Sequence, residues 1–170
     1  MKFDNYFIIA EIGINHDGNF EKAKKLILSA KQNGADAVKF QYFQASDLYL
    51  ETNKNYKILK NLVISKKKLS ILRNYAKKIN IKFFCTPFSF EGIAFLKEIS
   101  VDGFKIASMD NLNYSFIDNC CAFNSTVLVS TGMLNKIETD RLFKKYSKKV
   151  FFLHCVSNYP VKETEIGIEV

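Results

Sequence analysis

Ile81-Lys82-Phe83-Phe84-Cys85-Thr86-Pro87 is a nearly continuous apolar run that stops on a residue unable to donate to a sheet ladder. A strand with one wet face alternates apolar and polar residues. One that is apolar along its length is buried on both faces, as in a parallel sheet covered by helices. Its flanks carry the helices such a sheet needs. Upstream, Ser65 is placed to cap a helix whose Leu69, Leu72 and Ala76 fall on one face, and downstream Ser89 is placed to cap a helix running through Ile99.

The same unit recurs outward in both directions. Strands are predicted over Tyr6 to Gly13, Ala35 to Gln41, Ile81 to Thr86, Val101 to Ala107, Thr126 to Ser130 and Val150 to His154. Between the first two, Asn19 caps Phe20, Ala23, Leu26, Ile27 and Ala30 at helical spacing, and Asn33-Gly34 ends the helix. Asn113 to Phe123 reads as a helix, and Asn135 with Glu138 forms a capping box that opens another to about Tyr146. A polar connection rich in tyrosine runs through Asn55 into an apolar stretch, Ile58 to Ile64, while Glu165 to Val170 reads as a frayed end or a short extra strand. Strands alternating with helices predict an α/β fold, an incomplete TIM (β/α)8-type barrel with about six parallel strands in a single domain over residues 1–170. A complete barrel has eight such units in roughly 250 residues.

The chain of 170 residues is 48% hydrophobic, enough for a substantial core. No apolar stretch is long enough to span a membrane and no leader-type cleavage site follows the first strand, so a cytoplasmic location without a membrane partner is expected. Cys85, Cys120, Cys121 and Cys155 show no metal or redox spacing and read as small reduced hydrophobes. The formal charge of +8 comes from lysines spread over helix surfaces, such as Lys66-Lys67-Lys68 and Lys77-Lys78. With no zinc-finger, ribonucleoprotein or basic heptad pattern, nucleic acid is not an expected partner.

Each strand ends in residues of catalytic type: Glu11, Lys39-Phe40-Gln41, Thr86-Pro87, Lys105-Ile106-Ala107-Ser108, Ser130-Thr131-Gly132 and His154-Cys155-Val156-Ser157. In a parallel barrel, strand C-termini converge on one mouth. Lys39 and Lys105 end apolar strands, where a buried ammonium is costly without an anion, so a phosphate or carboxylate ligand is expected. Thr86, Ser108, Ser130 and Thr131 add hydroxyl donors, and Gly132 lets backbone N–H groups approach an oxyanion. Read singly, each hydroxyl equally suits a local backbone bond. Glu11 suits general acid/base work or a water-mediated metal contact, and equally an ion pair with Lys39 or Lys105. His154 and His16 have no companion cluster that would make a metal site.

Six strings, Ile9-Ala10-Glu11-Ile12-Gly13-Ile14-Asn15-His16-Asp17-Gly18-Asn19, Gly34-Ala35-Asp36-Ala37-Val38-Lys39-Phe40-Gln41, Thr86-Pro87-Phe88, Lys105-Ile106-Ala107-Ser108, Ser130-Thr131-Gly132-Met133 and Leu153-His154-Cys155-Val156-Ser157-Asn158-Tyr159-Pro160, occur in one order. Together, over residues 3 to about 160, they resemble the barrel domain of the sialic acid synthases, the family that includes the legionaminic and pseudaminic acid synthases. The resemblance implies condensation of phosphoenolpyruvate with the aldehyde of an N-acetylmannosamine-type amino sugar, giving a nine-carbon 2-keto acid and phosphate for cell-surface carbohydrate. It implies that Lys39, Thr86, Lys105, Ser108 and Ser130 hold phosphoenolpyruvate, that Ser157 and Tyr159 line the sugar side, and that Glu11 and Asp110 are the catalytic carboxylates. Asp110 stands in Met109-Asp110 where many members carry Glu. Complete members use a divalent metal, manganese or magnesium, held by two histidines on strands 7 and 8, and an antifreeze-like C-terminal domain within a homodimer. Those strands and that domain are absent from these 170 residues, so no metal ligand is expected in this chain, and the stretch by itself is expected to be inactive or impaired and at most to bind phosphoenolpyruvate weakly. The alternative is a non-catalytic protein that binds a phosphorylated metabolite or a partner chain.

Overall fold

In the computed structural model, which describes residues 6–167, apolar strands and amphipathic helices alternate as the sequence predicts. They form two compact units that divide at Gly103 and Phe104. In each unit the strands follow one another in the sheet in chain order.

The first unit holds β1 (Ile9–Gly13), β2 (Ala37–Tyr42) and β3 (Lys82–Pro87), with parallel pairing throughout. Register sets Glu11 opposite Lys39, Lys39 opposite Phe84 and Gln41 opposite Thr86. Because side chains alternate faces, Lys39 and Thr86 lie on the same face, two residues apart along the ladder. Ala37, Val38, Phe40 and Phe83 are wholly buried, and the Phe40 and Phe83 rings stack with centroids 5.0 Å apart. α1 (Phe20–Gln32) contributes Ala23 and Ile27 to this core, and α4 (Lys66–Lys78) contributes Leu69, Leu72 and Ala76, the positions their helical spacing selects. Asn19, Ser65 and Ser89 cap α1, α4 and α5 (Phe90–Glu98) through their side-chain oxygens.

Two elements depart from the sequence reading. The first strand begins at Ile9 rather than Tyr6, because the Ile8 amide is taken by the Asp36 carboxylate at 2.7 Å instead of a ladder partner. The polar connection contains two helices, α2 (Ala45–Leu48) and α3 (Lys54–Leu62). α2 is a single turn closed by reciprocal Gln44 and Asp47 bonds, and α3 starts at Asn53, whose side chain accepts from the Asn55 amide. Neither has the buried stripe that makes a helix legible, since α3 fully buries no residue.

The second unit carries β4 (Gly103–Ile106) from Phe104 onward, β5 (Thr126–Ser130) and β6 (Phe151–Leu153), with β5 and β6 parallel. α6 (Tyr114–Cys121) buries Phe116, Ile117 and Cys120. α7 (Lys136–Tyr146) opens on the Asn135–Glu138 capping box and buries Leu142 and Tyr146, the latter donating its hydroxyl to Tyr114 O at 3.1 Å. Near the end, Glu163–Glu165 is a 3-10 turn, and the His154 ring contacts Ile166 O. The alternative of an extra strand over Glu165 to Val170 is therefore not met at Glu165, and its residues 168–170 lie outside the described residues.

The turn after β1 is tightly packed. His16 is 1% exposed, stacks on Phe40 at 6.0 Å, and accepts the Gly18 amide on Nδ1 at 3.0 Å. Burial pushes its imidazole below the ordinary 6.5, so the neutral form is the one the fold keeps. Gly18 has φ +70°, and a Cβ there would lie 2.1 Å from the backbone oxygen of Asn61. Gly34 shares the left-handed backbone at φ +83° but faces open space. Gly34→Ala should thus lose about 1 kcal/mol from conformation alone, and Gly18→Ala at least about 2 kcal/mol more because backbone must move. Equal urea midpoints for the two variants would contradict this packing. His16 also sets a pH dependence. Since its folded pKa is depressed, its contribution is complete above 6.5 and is lost as pH falls below that value. Urea midpoints at about pH 7.5 and about pH 5.5 should fall for the wild type and much less for His16→Gln, which keeps an acceptor but cannot titrate.

Candidate active site

The parallel register of β1, β2 and β3 brings three of the sequence-predicted residues together in the first unit. Lys39, third on β2, is 3% exposed. Its ammonium lies 2.9 Å from Glu11 Oε1 and donates to Thr86 Oγ1 at 3.0 Å. An ammonium this deeply buried requires a countercharge and acceptors, and these two side chains supply them. The partner is asymmetric: the Lys39 side chain is 4% exposed, whereas that of Glu11 is 60% exposed. The carboxylate therefore sits at the wet rim of a dry cation and can exchange places with a solute anion without desolvating further. The ion pair between Glu11 and Lys39 is one of the two pairings open to Glu11 from sequence. Beside them Cys85 is fully buried, and burial pushes its thiol up to about 12 although Lys39 pulls it down, so it stays an uncharged packing group.

A second set of predicted residues gathers in the second unit around the end of β5. Ser130 is completely buried, and its hydroxyl has no hydrogen-bond partner among the described residues. A buried hydroxyl without a partner loses on the order of 1–3 kcal/mol relative to a satisfied one, and a ligand oxygen would recover it. The backbone around it is held firmly. Asn111, 4% exposed, donates from Nδ2 to Ser130 O at 3.2 Å and to Gly132 O at 3.0 Å. Thr131 donates its amide and its hydroxyl to Leu153 O at 3.0 and 2.9 Å. Two more predicted hydroxyls flank Gly132, since a Cβ on it would fall 2.5 Å from Ser157 Oγ and 2.7 Å from Ser108 Oγ. Only glycine leaves both of them room.

The remaining predicted residues are also placed in this unit. Lys105 is the third residue of β4 and is partly buried. Asp110 ends the 3-10 turn Ser108–Asp110 and is partly buried, and burial holds its carboxyl above the usual carboxylate range. Tyr159 is 95% exposed and precedes Pro160 across a cis peptide bond. Among the described residues no three His, Cys, Asp or Glu side chains form a group that could hold a metal ion. No helix of the described residues is long and apolar enough to cross a membrane.

Sequence reasoning singled out Ser130 but not Asn111, which fixes the backbone on both sides of Thr131. Nothing local marks Asn111, because its partners lie 19 and 21 residues ahead. His16 was read only as a failed metal ligand, and its role in closing the β1 turn depends on a ring contact with β2 that no spacing rule reports.

Comparison with known proteins identifies the family and the fold. The model of the NeuB family matches residues 26–170. The N,N'-diacetyllegionaminic acid synthase of Legionella pneumophila is 34% identical, with 96% of this chain and 52% of that protein aligned. The N-acetylneuraminate-9-phosphate synthase of Mus musculus is 29% identical, with 96% of this chain and 50% of that protein aligned. The chain thus spans about half the length of the curated relatives it matches. Among solved structures, the N-acetylneuraminic acid synthetase of Leptospira borgpetersenii in complex with citrate superposes with a TM-score of 0.87 at 32% identity, covering 98% of this chain and 62% of that one. That likeness makes the six parallel strands an α/β arrangement of the incomplete TIM-barrel type. The chain belongs to the NeuB family.

Proposed function

We propose that the protein is a phosphoenolpyruvate-dependent condensing synthase of the sialic acid type, which joins phosphoenolpyruvate to an N-acetylmannosamine-type aldehyde in the cytoplasm. The observation that carries this reading is the buried Lys39 ammonium, held by the Thr86 hydroxyl and by a carboxylate that solvent can reach. Such a group offers its ammonium in a dry setting to a strongly anionic substrate that can take the place of the exposed carboxylate, and there its attraction is less screened than at the surface. The named relatives supply the reaction class. The same ligand role is proposed for Lys105, Ser108 and Ser130, with Ser157 and Tyr159 toward the sugar.

In the reaction, carbon 3 of the enol attacks the aldehyde carbon, water adds at carbon 2, and phosphate leaves. Lys39 and Thr86 hold the anionic substrate and fix the face from which carbon 3 attacks. Glu11, at the exposed rim, exchanges a proton at the aldehyde oxygen or the incoming water. Asp110, whose pKa burial raises, is the second acid/base group, since a raised pKa favours the protonated form that can donate. A divalent metal is implied by the sequence resemblance, yet the described residues gather no donor set for one. The residues present do not fit that group, and no step here runs through it.

For the 170-residue stretch expressed by itself, phosphoenolpyruvate should bind and perturb the amides of Glu11, Lys39 and Thr86 in a nuclear magnetic resonance titration. Lys39→Met removes the ammonium and leaves only an exposed carboxylate behind, so it should fold while binding roughly tenfold to a hundredfold more weakly at those amides. Unchanged affinity in a folded Lys39→Met variant would refute the assignment.

A further inference from the structure

The strands of the first unit also carry charged residues at their other end. Where β2 and β3 begin, opposite to the end carrying Thr86, the structure holds a cavity of about 640 Å³. Its walls include four cations, Lys31, Arg73, Lys77 and Lys82, two carboxylates, Asp36 and Asp102, and the ring of Phe7. Lys82 opens β3 and Thr86 is its fifth residue, so this cavity lies about 13 Å along the strand from the Lys39 group. We propose that it binds a phosphorylated small metabolite through Lys77, Lys82 and Arg73. The proposal does not depend on the synthase reading.

The charge balance of the wall, with exposed Lys31, Lys77 and Lys82 and the guanidinium of Arg73 against two carboxylates, favours an anion there. Both carboxylates are already committed to the fold: Asp36 accepts the Ile8 amide at 2.7 Å and Asp102 accepts the Phe83 amide at 2.8 Å. Lys31 is spent on Asn80 O at 2.8 Å, and Arg73 directs two of its N–H groups to Ser100 O at 3.1 and 2.6 Å, leaving further guanidinium donors. Among the described residues Lys77 and Lys82 make no salt bridge. Lys77 lies in the last turn of α4, whose C-terminal dipole offers only about half a negative charge. Lys82 lies 5.3 Å over the Phe7 ring, a contact that orients its ammonium without neutralising it. Two ammonium groups and spare guanidinium donors exceed what one carboxylate requires and match a phosphate monoester dianion. The volume falls in the range of small-ligand sites, and the half-exposed Phe7 ring offers an apolar surface to the rest of the metabolite.

The test uses the Lys39→Met form of the 170-residue chain, so that binding at the other strand end is weakened, with inorganic phosphate and adenosine monophosphate as probes. In a residue-resolved titration the amides of Gly34, Lys77 and Lys82 should shift saturably with both probes, and more tightly with the nucleotide. Lys77→Gln combined with Lys82→Gln should weaken that binding at least about tenfold while leaving the urea midpoint unchanged. Phe7→Ala should abolish the nucleotide's advantage over phosphate. Failure of both probes to shift these amides at millimolar concentration would overturn the proposal, as would shifts that persist in the double variant. Loss of phosphoenolpyruvate binding by Lys39→Met with these shifts intact would leave both assignments standing, so failure of either is separately visible.

Discussion

A buried ammonium that must be matched by charge and hydrogen bonds is the constraint on which the candidate site rests. Lys39 occupies a position on β2 that the apolar pattern would assign to a hydrophobe, and its neighbours Val38 and Phe40 are wholly buried. Replacing it by a hydrophobe of similar length would cost the fold little, because buried ion pairs seldom outperform good packing. A cation at such a place is better explained by what it binds than by what it stabilises. The fold meets the requirement by register alone: parallel pairing sets Glu11 directly opposite and Thr86 two residues ahead on the same face.

The second unit shows the complementary feature, a buried polar group left without a partner among the described residues. Among the described residues the buried Ser130 hydroxyl has no partner, while Asn111 and Thr131 tie down the backbone at Ser130 and the two residues after it. An anion bound there, as proposed, would meet a polar group already desolvated. Gly132 is needed for the same reason, as the Ser108 and Ser157 hydroxyls occupy the space a side chain would take. The missing bond at Ser130 costs stability that a ligand oxygen there would restore.

Much of this was legible in the sequence where local chemistry and periodicity agree. The capped helices starting at Asn19, Ser65, Ser89 and Asn135 and the strand over Thr126–Ser130 follow from caps and apolar runs alone. Glu11, Lys39, Thr86 and Ser130 could be chosen because each interrupts or ends a buried run, where a polar group needs a reason. Helices α2 and α3 were not legible, since one is a single turn and the other buries no residue fully. Asn111 and the cationic cavity at the start of β3 were hidden for a different reason. Their members come from separate segments, and only the folded backbone brings Lys31, Arg73 and Lys82 to one place. The lysines of α4, read from sequence as a solvated face, divide in the structure, with Lys77 on the cavity wall.

The most direct measurement is a crystal structure of the chain soaked with phosphoenolpyruvate. The account predicts an oxygen of the ligand at about 2.7–3.2 Å from Lys39 Nζ, with Thr86 Oγ1 retained nearby and Glu11 turned toward solvent. Ligand density elsewhere, with the Lys39–Glu11 pair undisturbed at full occupancy of the ligand, would contradict it.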